Sequence, residues 1–143
     1  MPRRVLVCDD EAHVLRAVTL KLSGAGFEVL TASDGQQALE LMEGTTPDLL
    51  ITDCEMPRMN GFELCERVRG NPALAGLPIL MLTAKAYEFD EEEAHRRWGV
   101  SALLTKPFSP RVLAQLVEAT LAGGGGQGDH RVQGTLSAAA STI

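Results

Sequence analysis

The chain has 143 residues, of which 45% are hydrophobic and 22% are charged, and its formal net charge is −6. This composition is typical of one folded domain and argues against intrinsic disorder. The acidic balance argues against direct contact with nucleic acid, which basic domains make more often. The apolar runs are far shorter than the roughly 20 residues that a membrane span requires.

Strands and helices alternate in the predicted secondary structure. Short apolar runs rich in β-branched residues predict the strands, and apolar positions at helical spacing predict the helices. Asp34 is the predicted N-cap of the second helix, and Pro110 suits the first position of the last one. In chain order the predicted elements are a strand at Arg4–Cys8, a helix at Glu11–Ala25, a strand at Glu28–Ala32, a helix at Gln36–Glu43, a strand at Asp48–Asp53, a helix at Phe62–Arg69, a strand at Ile79–Ala84, a helix at Glu88–Trp98, a strand at Ser101–Thr105 and a helix at Pro110–Ala122. This alternation through short loops predicts a parallel sheet with helices on both faces.

The composition changes after Ala122. The remaining sequence, GGGGQGDHRVQGTLSAAASTI, has almost no periodic apolar pattern, which is typical of a flexible tail. We therefore expect a folded domain at residues 1–122 and a flexible, Gly-rich tail at residues 123–143. The tail is interpreted as a natural terminus, a linker to another domain, or residues added for expression.

The cysteines and the amino-terminal sequence indicate the cellular compartment of the protein. Cys8, Cys54 and Cys65 are odd in number and lack metal-binding spacing, and acidic residues follow the amino-terminal arginines too soon for a signal peptide. Both observations favour a reducing cytoplasm. Cys8 and Cys54 each adjoin an aspartate, so redox sensing is one interpretation, but packing as small apolar side chains is favoured.

Polar residues of different kinds follow the apolar runs. VLVC ends at Asp9 and Asp10, LLIT at Asp53, ILML at Thr83, and ALLT at Lys106. Because the carboxyl ends of parallel strands lie on one edge of a sheet, where ligands bind, we expect these side chains to converge.

The expected cluster suits a divalent cation and a phosphoryl group. Three carboxylates repel one another unless a cation lies between them, and carboxylate oxygens suit Mg²⁺. A carboxylate can also attack phosphorus to form an aspartyl phosphate, with a cation and a lysine neutralising the transferred charge. Taken singly, an aspartate can cap a helix, a threonine suits a strand and a lysine suits a solvated strand end. Their combination at one edge favours the cation and phosphoryl site.

Four motifs carry a resemblance to a known family. They are VLVCDDE at the first strand, DLLITDCEMPRMNGFEL around the third, ILMLTA at the fourth and LLTKPFSP at the fifth. From about Arg4 to Leu121 the chain resembles the receiver domain of two-component response regulators. The resemblance implies a flavodoxin-like, doubly wound parallel sheet of five strands in the order 2-1-3-4-5.

The resemblance also implies roles for individual residues. The implied site comprises the phosphoacceptor Asp53, the Mg²⁺ ligands Asp9, Asp10, Asp53 and the backbone carbonyl of Glu55, the switch hydroxyl of Thr83, and Lys106, which contacts the phosphoryl group before the often cis peptide bond to Pro107.

Leu103 departs from the family pattern. The family usually has Tyr or Phe at this position, and that ring rotates inward on activation. Tyr87, Phe89 or Trp98 are candidates for the missing signalling role, although packing is the favoured interpretation of each. Glu55 and Lys85 occupy positions that tune the phosphoryl lifetime in the family, and we expect them to pair across the site mouth.

Three hypotheses about function follow. The first is a non-enzymatic, cytoplasmic switch, phosphorylated on Asp53 by a sensor histidine kinase or phosphotransfer protein. It would signal to a downstream protein through the last two helices and the fifth strand, as a monomer or a phosphorylation-dependent dimer, without direct contact with nucleic acid or membrane. The second is an aspartyl-phosphate phosphatase-like enzyme with Glu55 as the acid. The third is a binding module that works independently of phosphorylation.

Overall fold

A computed structural model of the chain describes residues 2–85 and 90–123. Within these ranges strands and helices alternate as the sequence predicts. The elements are β1 (Arg4–Cys8), α1 (Ala12–Gly24), β2 (Glu28–Ala32), α2 (Gly35–Gly44), β3 (Leu49–Asp53), α3 (Gly61–Arg69), β4 (Ile79–Thr83), α4 (Glu91–Trp98), β5 (Val100–Thr105) and α5 (Pro110–Ala122). None of the helices in this described part of the chain is long and apolar enough to cross a membrane.

The five strands form one parallel sheet in the order β2-β1-β3-β4-β5. This confirms the order that the resemblance implies. The register pairs Cys8 with Thr52 and Asp53 with Leu82, so β1, β3 and β4 end at the same height. The residues that follow these strands are therefore carried to one edge of the sheet.

Each face of the sheet carries its own hydrophobic core. Leu6, Leu50 and Met81 point to the face covered by α2, α3 and α4, where Leu64 is also buried. The residues that alternate with them along each strand point to the opposite face, where Ile51 and its neighbours pack against α1 and α5. Burial on both faces explains why the central strands are continuously apolar rather than alternating.

Several observed boundaries differ from the predicted ones by one to three residues. α4 begins at Glu91 because the Asp90 carboxylate accepts hydrogen bonds from the backbone N–H groups of residues 92 and 93. β3 begins at Leu49, and Asp48 just before it accepts a bond from the backbone N–H of Arg4 on its carboxylate and donates its own backbone N–H to the Arg4 carbonyl. Asp34 caps α2 as predicted.

Some predictions fall outside the described residues. Tyr87 and Phe89, two of the three candidates for the signalling aromatic, lie in the segment 86–89. The predicted tail, apart from Gly123, also lies outside. The domain boundary after residue 122 therefore stays a prediction.

Candidate functional site

Three carboxylates meet at the carboxyl edge of the sheet. Asp9 and Asp10 follow β1, and Asp53 ends β3. One carboxylate oxygen from each of the three residues lies within 4.8 Å of the others. Asp9 is fully buried and Asp53 is 6% exposed, whereas Asp10 is exposed. The structure thus brings together the three aspartates that the sequence singled out, with two of them shielded from water.

Lys106 brings a positive charge to this cluster from the end of β5. Its Nζ lies 2.7 Å from Glu11 Oε1, 2.8 Å from Asp9 Oδ2 and 3.5 Å from Asp53 Oδ2. Its backbone N–H donates to the carbonyl of Thr83 at 2.7 Å, which ties the ends of β4 and β5 together. The peptide bond from Lys106 to the following proline is cis.

Burial and neighbouring charges shift the titration of this cluster. Burial, aided by the charge of Asp9, raises the pKa of Asp53 to about 6, although Lys106 opposes the shift. Burial alone would lower the pKa of Lys106, but the carboxylates of Asp9 and Glu11 outweigh it and raise that pKa. At neutral pH the site therefore holds an ionised Asp53 facing a charged ammonium, which suits nucleophilic attack on phosphorus.

The donor set fits a divalent cation. Within the described residues, the buried Asp9 Oδ2 is paired with the Lys106 ammonium at 2.8 Å. Three aspartates and Glu11 nevertheless face this single ammonium, and such an excess of buried negative charge is costly unless a further cation compensates it. Clustered carboxylate oxygens are the ligands that Mg²⁺ takes in proteins. The position of the Glu55 backbone carbonyl as a further ligand stays a prediction.

Thr83 lies beside this cluster at the end of β4. It is 1% exposed, and its Oγ1 accepts a hydrogen bond from the backbone N–H of Lys85 at 2.9 Å. The Lys85 ammonium lies 3.3 Å from the Glu55 carboxylate, so the predicted pair across the site mouth is present. Both side chains of that pair are about half exposed.

The loop between β3 and α3 is held at both ends. Gly61 donates its backbone N–H to the carbonyl of Cys54 at 2.9 Å, and a Cβ at Gly61 would lie 2.2 Å from the Asp53 carbonyl oxygen. Upstream, Arg58 has a φ of 66° and pairs with the buried carboxylate of Asp34. The loop that follows Asp53 therefore has little freedom to move.

Sequence analysis did not identify two residues that contribute to this site, Glu11 and Arg58. Glu11 carried one signal, since it extends the acidic pair of Asp9 and Asp10 by one residue. Arg58 carried none, because its partner Asp34 lies 24 residues away and was assigned only as a helix cap.

The residues considered for signalling or redox roles are packed. Leu103 is 3% exposed, and its backbone N–H donates to Glu91 Oε2 at 3.3 Å. The ring of Trp98 packs against Phe62 with centroids 4.9 Å apart, and its Nε1 donates to Glu66. The three cysteines are buried and unbridged, and burial raises the pKa of each thiol to about 12. These observations favour the packing interpretation of the tryptophan and the cysteines.

Comparison with known proteins agrees with this geometry. Residues 5–118 match the family model described as the response regulator receiver domain. The chain is 40% identical over 121 residues to the alkaline phosphatase synthesis transcriptional regulatory protein PhoP of Bacillus subtilis (strain 168), covering 85% of this chain and 49% of that protein.

Two further matches extend this result. The DNA-binding response regulator MtrA of Mycobacterium tuberculosis is 37% identical over 121 residues, covering 85% of this chain and 51% of that protein. The structure of the chemotaxis response regulator CheY4 of Vibrio cholerae is 35% identical with a TM-score of 0.75, covering 83% of this chain and 98% of that one. The chain spans about half the length of the curated relatives it matches.

Proposed function

The chain belongs to the response regulator receiver domain family, and on that premise we propose that it is a phosphorylation switch whose phosphoacceptor is Asp53. The observation that carries this proposal is the placement of Asp53. Asp53 is the last residue of β3, and its carboxylate lies beside those of Asp9 and Asp10, with one oxygen 3.5 Å from Lys106 Nζ. A nucleophile flanked by a cation-binding group and an ammonium is the arrangement that phosphoryl transfer to an aspartate requires.

The proposed metal is Mg²⁺, held by the carboxylates of Asp9, Asp10 and Asp53 and the backbone carbonyl of Glu55. When bound, Mg²⁺ supplies positive charge to the phosphoryl oxygens during transfer. The excess of clustered carboxylates over the single Lys106 ammonium supports this assignment. The exposed position of Asp10 leaves the cation side of the cluster open to solvent, as a metal that keeps several waters needs.

In the proposed transfer, a carboxylate oxygen of Asp53 attacks the phosphorus of a phosphohistidine on a sensor histidine kinase or phosphotransfer protein. A phosphorus–oxygen bond forms, the phosphorus–nitrogen bond breaks, and the leaving imidazole nitrogen takes a proton from solvent. Lys106 donates to a phosphoryl oxygen and offsets part of its charge. The pKa of about 6 keeps most of Asp53 ionised at neutral pH, as a nucleophile must be.

The readout in this proposal begins at Thr83. Phosphorylation adds a charge of about −1.5 to −2 at Asp53, and the Thr83 hydroxyl donates to the new phosphoryl oxygens from the adjacent strand end. Moving Thr83 strains its bond from the Lys85 backbone and its neighbours at the start of the β4–α4 connection. We propose that a downstream protein reads this change on the surface of α4, β5 and α5. Since Leu103 is aliphatic, no aromatic side chain at this position can report the change.

The setting of the protein is part of the proposal. A cytoplasmic location follows from the cysteine content and from phosphorylation by a kinase partner. The words transcriptional and DNA-binding in the names of the two curated relatives describe proteins about twice as long as the matched part. For the described residues, the absence of direct nucleic-acid contact stays a prediction.

The proposal is tested by labelling with a small phosphodonor. Wild-type protein incubated with acetyl phosphate and Mg²⁺ should gain one phosphoryl group, measured by intact mass. Asp53→Asn should gain none, and wild-type protein in excess EDTA should gain far less. The control Asp48→Asn removes an acid at the opposite end of the same strand and should label like the wild type. Labelling that persists in Asp53→Asn, or none in the wild type, contradicts the assignment.

A further inference from the structure

We propose that Glu11 is a positioning residue that holds Lys106 in the resting protein and competes with the phosphoryl group for it. The inference rests on the proposed function of Asp53, and it adds a control point to that site. In the structure the Lys106 ammonium lies closer to Glu11 than to Asp53, at 2.7 Å against 3.5 Å.

The local structure leaves the Glu11 side chain no other visible task. Glu11 is the N-cap residue of α1, a position where a short polar side chain such as that of Asp or Ser usually accepts a bond from the first turn of the helix. Its carboxylate makes no such capping bond and instead reaches Lys106, 95 residues later in the chain. The contact is therefore a tertiary ion pair rather than a by-product of helix capping.

The two carboxylates that hold Lys106 differ in their freedom to release it. Asp9 is fully buried and belongs to the proposed metal ligands, so its position is set by the cluster. Glu11 is 47% exposed and lies at the solvent side of the ammonium, which is itself only 12% exposed. Release of Lys106 toward Asp53 therefore means breaking or stretching its pair with Glu11.

An ammonium has a fixed number of donors. Lys106 can donate three hydrogen bonds, and in the resting protein it faces three carboxylates, with Glu11 and Asp9 close and Asp53 farther away at 3.5 Å. To bond a phosphoryl oxygen on Asp53 at short distance, the ammonium must move toward Asp53 and therefore away from Glu11. Glu11 thus stabilises the empty site relative to the loaded one.

The test measures the affinity for beryllofluoride, which stands in for a phosphoryl group on the aspartate. Wild type and Glu11→Gln are titrated in saturating Mg²⁺ and read by fluorine NMR of the bound ion. Glutamine keeps the size of the side chain but loses the charge that holds the ammonium. We expect Glu11→Gln to bind about two- to fivefold more tightly, the range expected when a half-exposed ion pair is lost.

A matched control separates this contact from a change in net charge. Glu43→Gln removes one negative charge from the exposed side of α2, which packs beside β1 and β2. It should bind beryllofluoride as the wild type does. If it tightens binding as much as Glu11→Gln, the effect is one of overall charge and the proposal is overturned.

Thermal stability without ligand provides the second readout. Glu11→Gln should melt at a lower temperature than the wild type while binding beryllofluoride more tightly, whereas general damage to the site would lower both. Unchanged or weakened binding by Glu11→Gln overturns the proposal for Glu11. If wild-type protein binds no beryllofluoride in saturating Mg²⁺, the proposed function of Asp53 fails as well.

Discussion

Buried charge is held in opposite ways at the two ends of the parallel strands. We call these the amino edge and the carboxyl edge of the sheet. At the amino edge, the half-buried guanidinium of Arg69 donates to three backbone carbonyls, those of Trp98 at 2.6 Å, Ala75 at 2.7 Å and Gly99 at 3.2 Å. At the carboxyl edge, three aspartates and Glu11 cluster near one lysine, so negative charge exceeds positive charge there.

In this fold, stability and reactivity are assigned to opposite ends of the strands. A buried charge whose partners satisfy it stabilises the fold, whereas an excess of buried charge of one sign costs free energy that a ligand of the opposite sign can recover. Arg69 joins α3 to the segments before β4 and β5, so its charge serves structure. The carboxyl edge retains the less favourable arrangement, so its charge is available to a cation and a phosphoryl group.

The largest effect should come from breaking the amino edge. Arg69→Ala removes three hydrogen bonds and leaves three carbonyls without this donor, so we expect the free energy of unfolding to fall by about 3–4 kcal/mol. Urea denaturation measures it. Arg67→Ala, an exposed neighbour on α3, should change stability by less than about 0.5 kcal/mol. If both variants lose the same free energy of unfolding, the three hydrogen bonds of the Arg69 guanidinium do not stabilise the amino edge.

Neutralising the carboxyl edge should have the opposite sign. The pKa of Asp53, about 6 in the folded protein against an ordinary 3.8, means that folding disfavours its ionised form. Wild-type stability in metal-free buffer should therefore fall as the pH rises from about 4 through about 6, by about 2–3 kcal/mol from this group.

Asp53→Asn should remove that loss. At pH 7.5 without Mg²⁺ the variant should be more stable than the wild type by a similar amount, and the two should converge near pH 4. Urea denaturation across this pH range gives the comparison. A variant that is less stable than the wild type at every pH would show that the Asp53 charge is well compensated, contrary to the contrast drawn between the two edges.

Mg²⁺ should stabilise the folded protein through the carboxyl edge alone. At ten times its dissociation constant, a ligand of the folded state adds about 1.4 kcal/mol. We expect this gain in wild-type protein and its loss in Asp53→Asn, measured by thermal melts with and without EDTA. Arg69→Ala should keep the gain, since its change lies at the other end of the sheet. An equal Mg²⁺ gain in Asp53→Asn would place the cation elsewhere.

The smallest change in stability should come from the pair at the site mouth. Lys85 and Glu55 are both about half exposed, so Lys85→Ala should alter the free energy of unfolding by less than about 0.5 kcal/mol. We also predict that this variant shortens the lifetime of the phosphorylated protein, since a paired Lys85 and Glu55 would slow the attack of water on the phosphoryl group. Loss of the label over time, followed by intact mass, measures this. A lifetime equal to that of the wild type would show that the pair does not protect the phosphoryl group.

The sequence predicts most of this fold because its local signals agree with one another. Short apolar runs that end in Asp53, Thr83 or Lys106 predict both the strands and the edge at which these residues meet. The strand order follows from the resemblance, since periodicity carries no information about which strands are neighbours. The aspartate cluster is predictable for the same reason as the strands: each member is attached to a strand end.

The remaining contacts depend on the folded chain. Lys106 reaches Glu11 rather than only Asp53, and Arg58 reaches Asp34, although neither pair is close in sequence. Arg69 has the pattern of an ordinary basic residue at a helix end, and only packing turns it toward three carbonyls. Such choices depend on distances of a few ångströms between elements, which no local pattern encodes.

Gly61 has a consequence for experiments that search for function by substitution. Since a Cβ at this position would lie 2.2 Å from the Asp53 carbonyl oxygen, every other residue type must displace the backbone of the proposed phosphoacceptor. A saturation library selected for signalling should therefore return glycine alone at position 61. Tolerance maps would score this residue alongside Asp53 and Lys106, although it has no side chain with which to do chemistry.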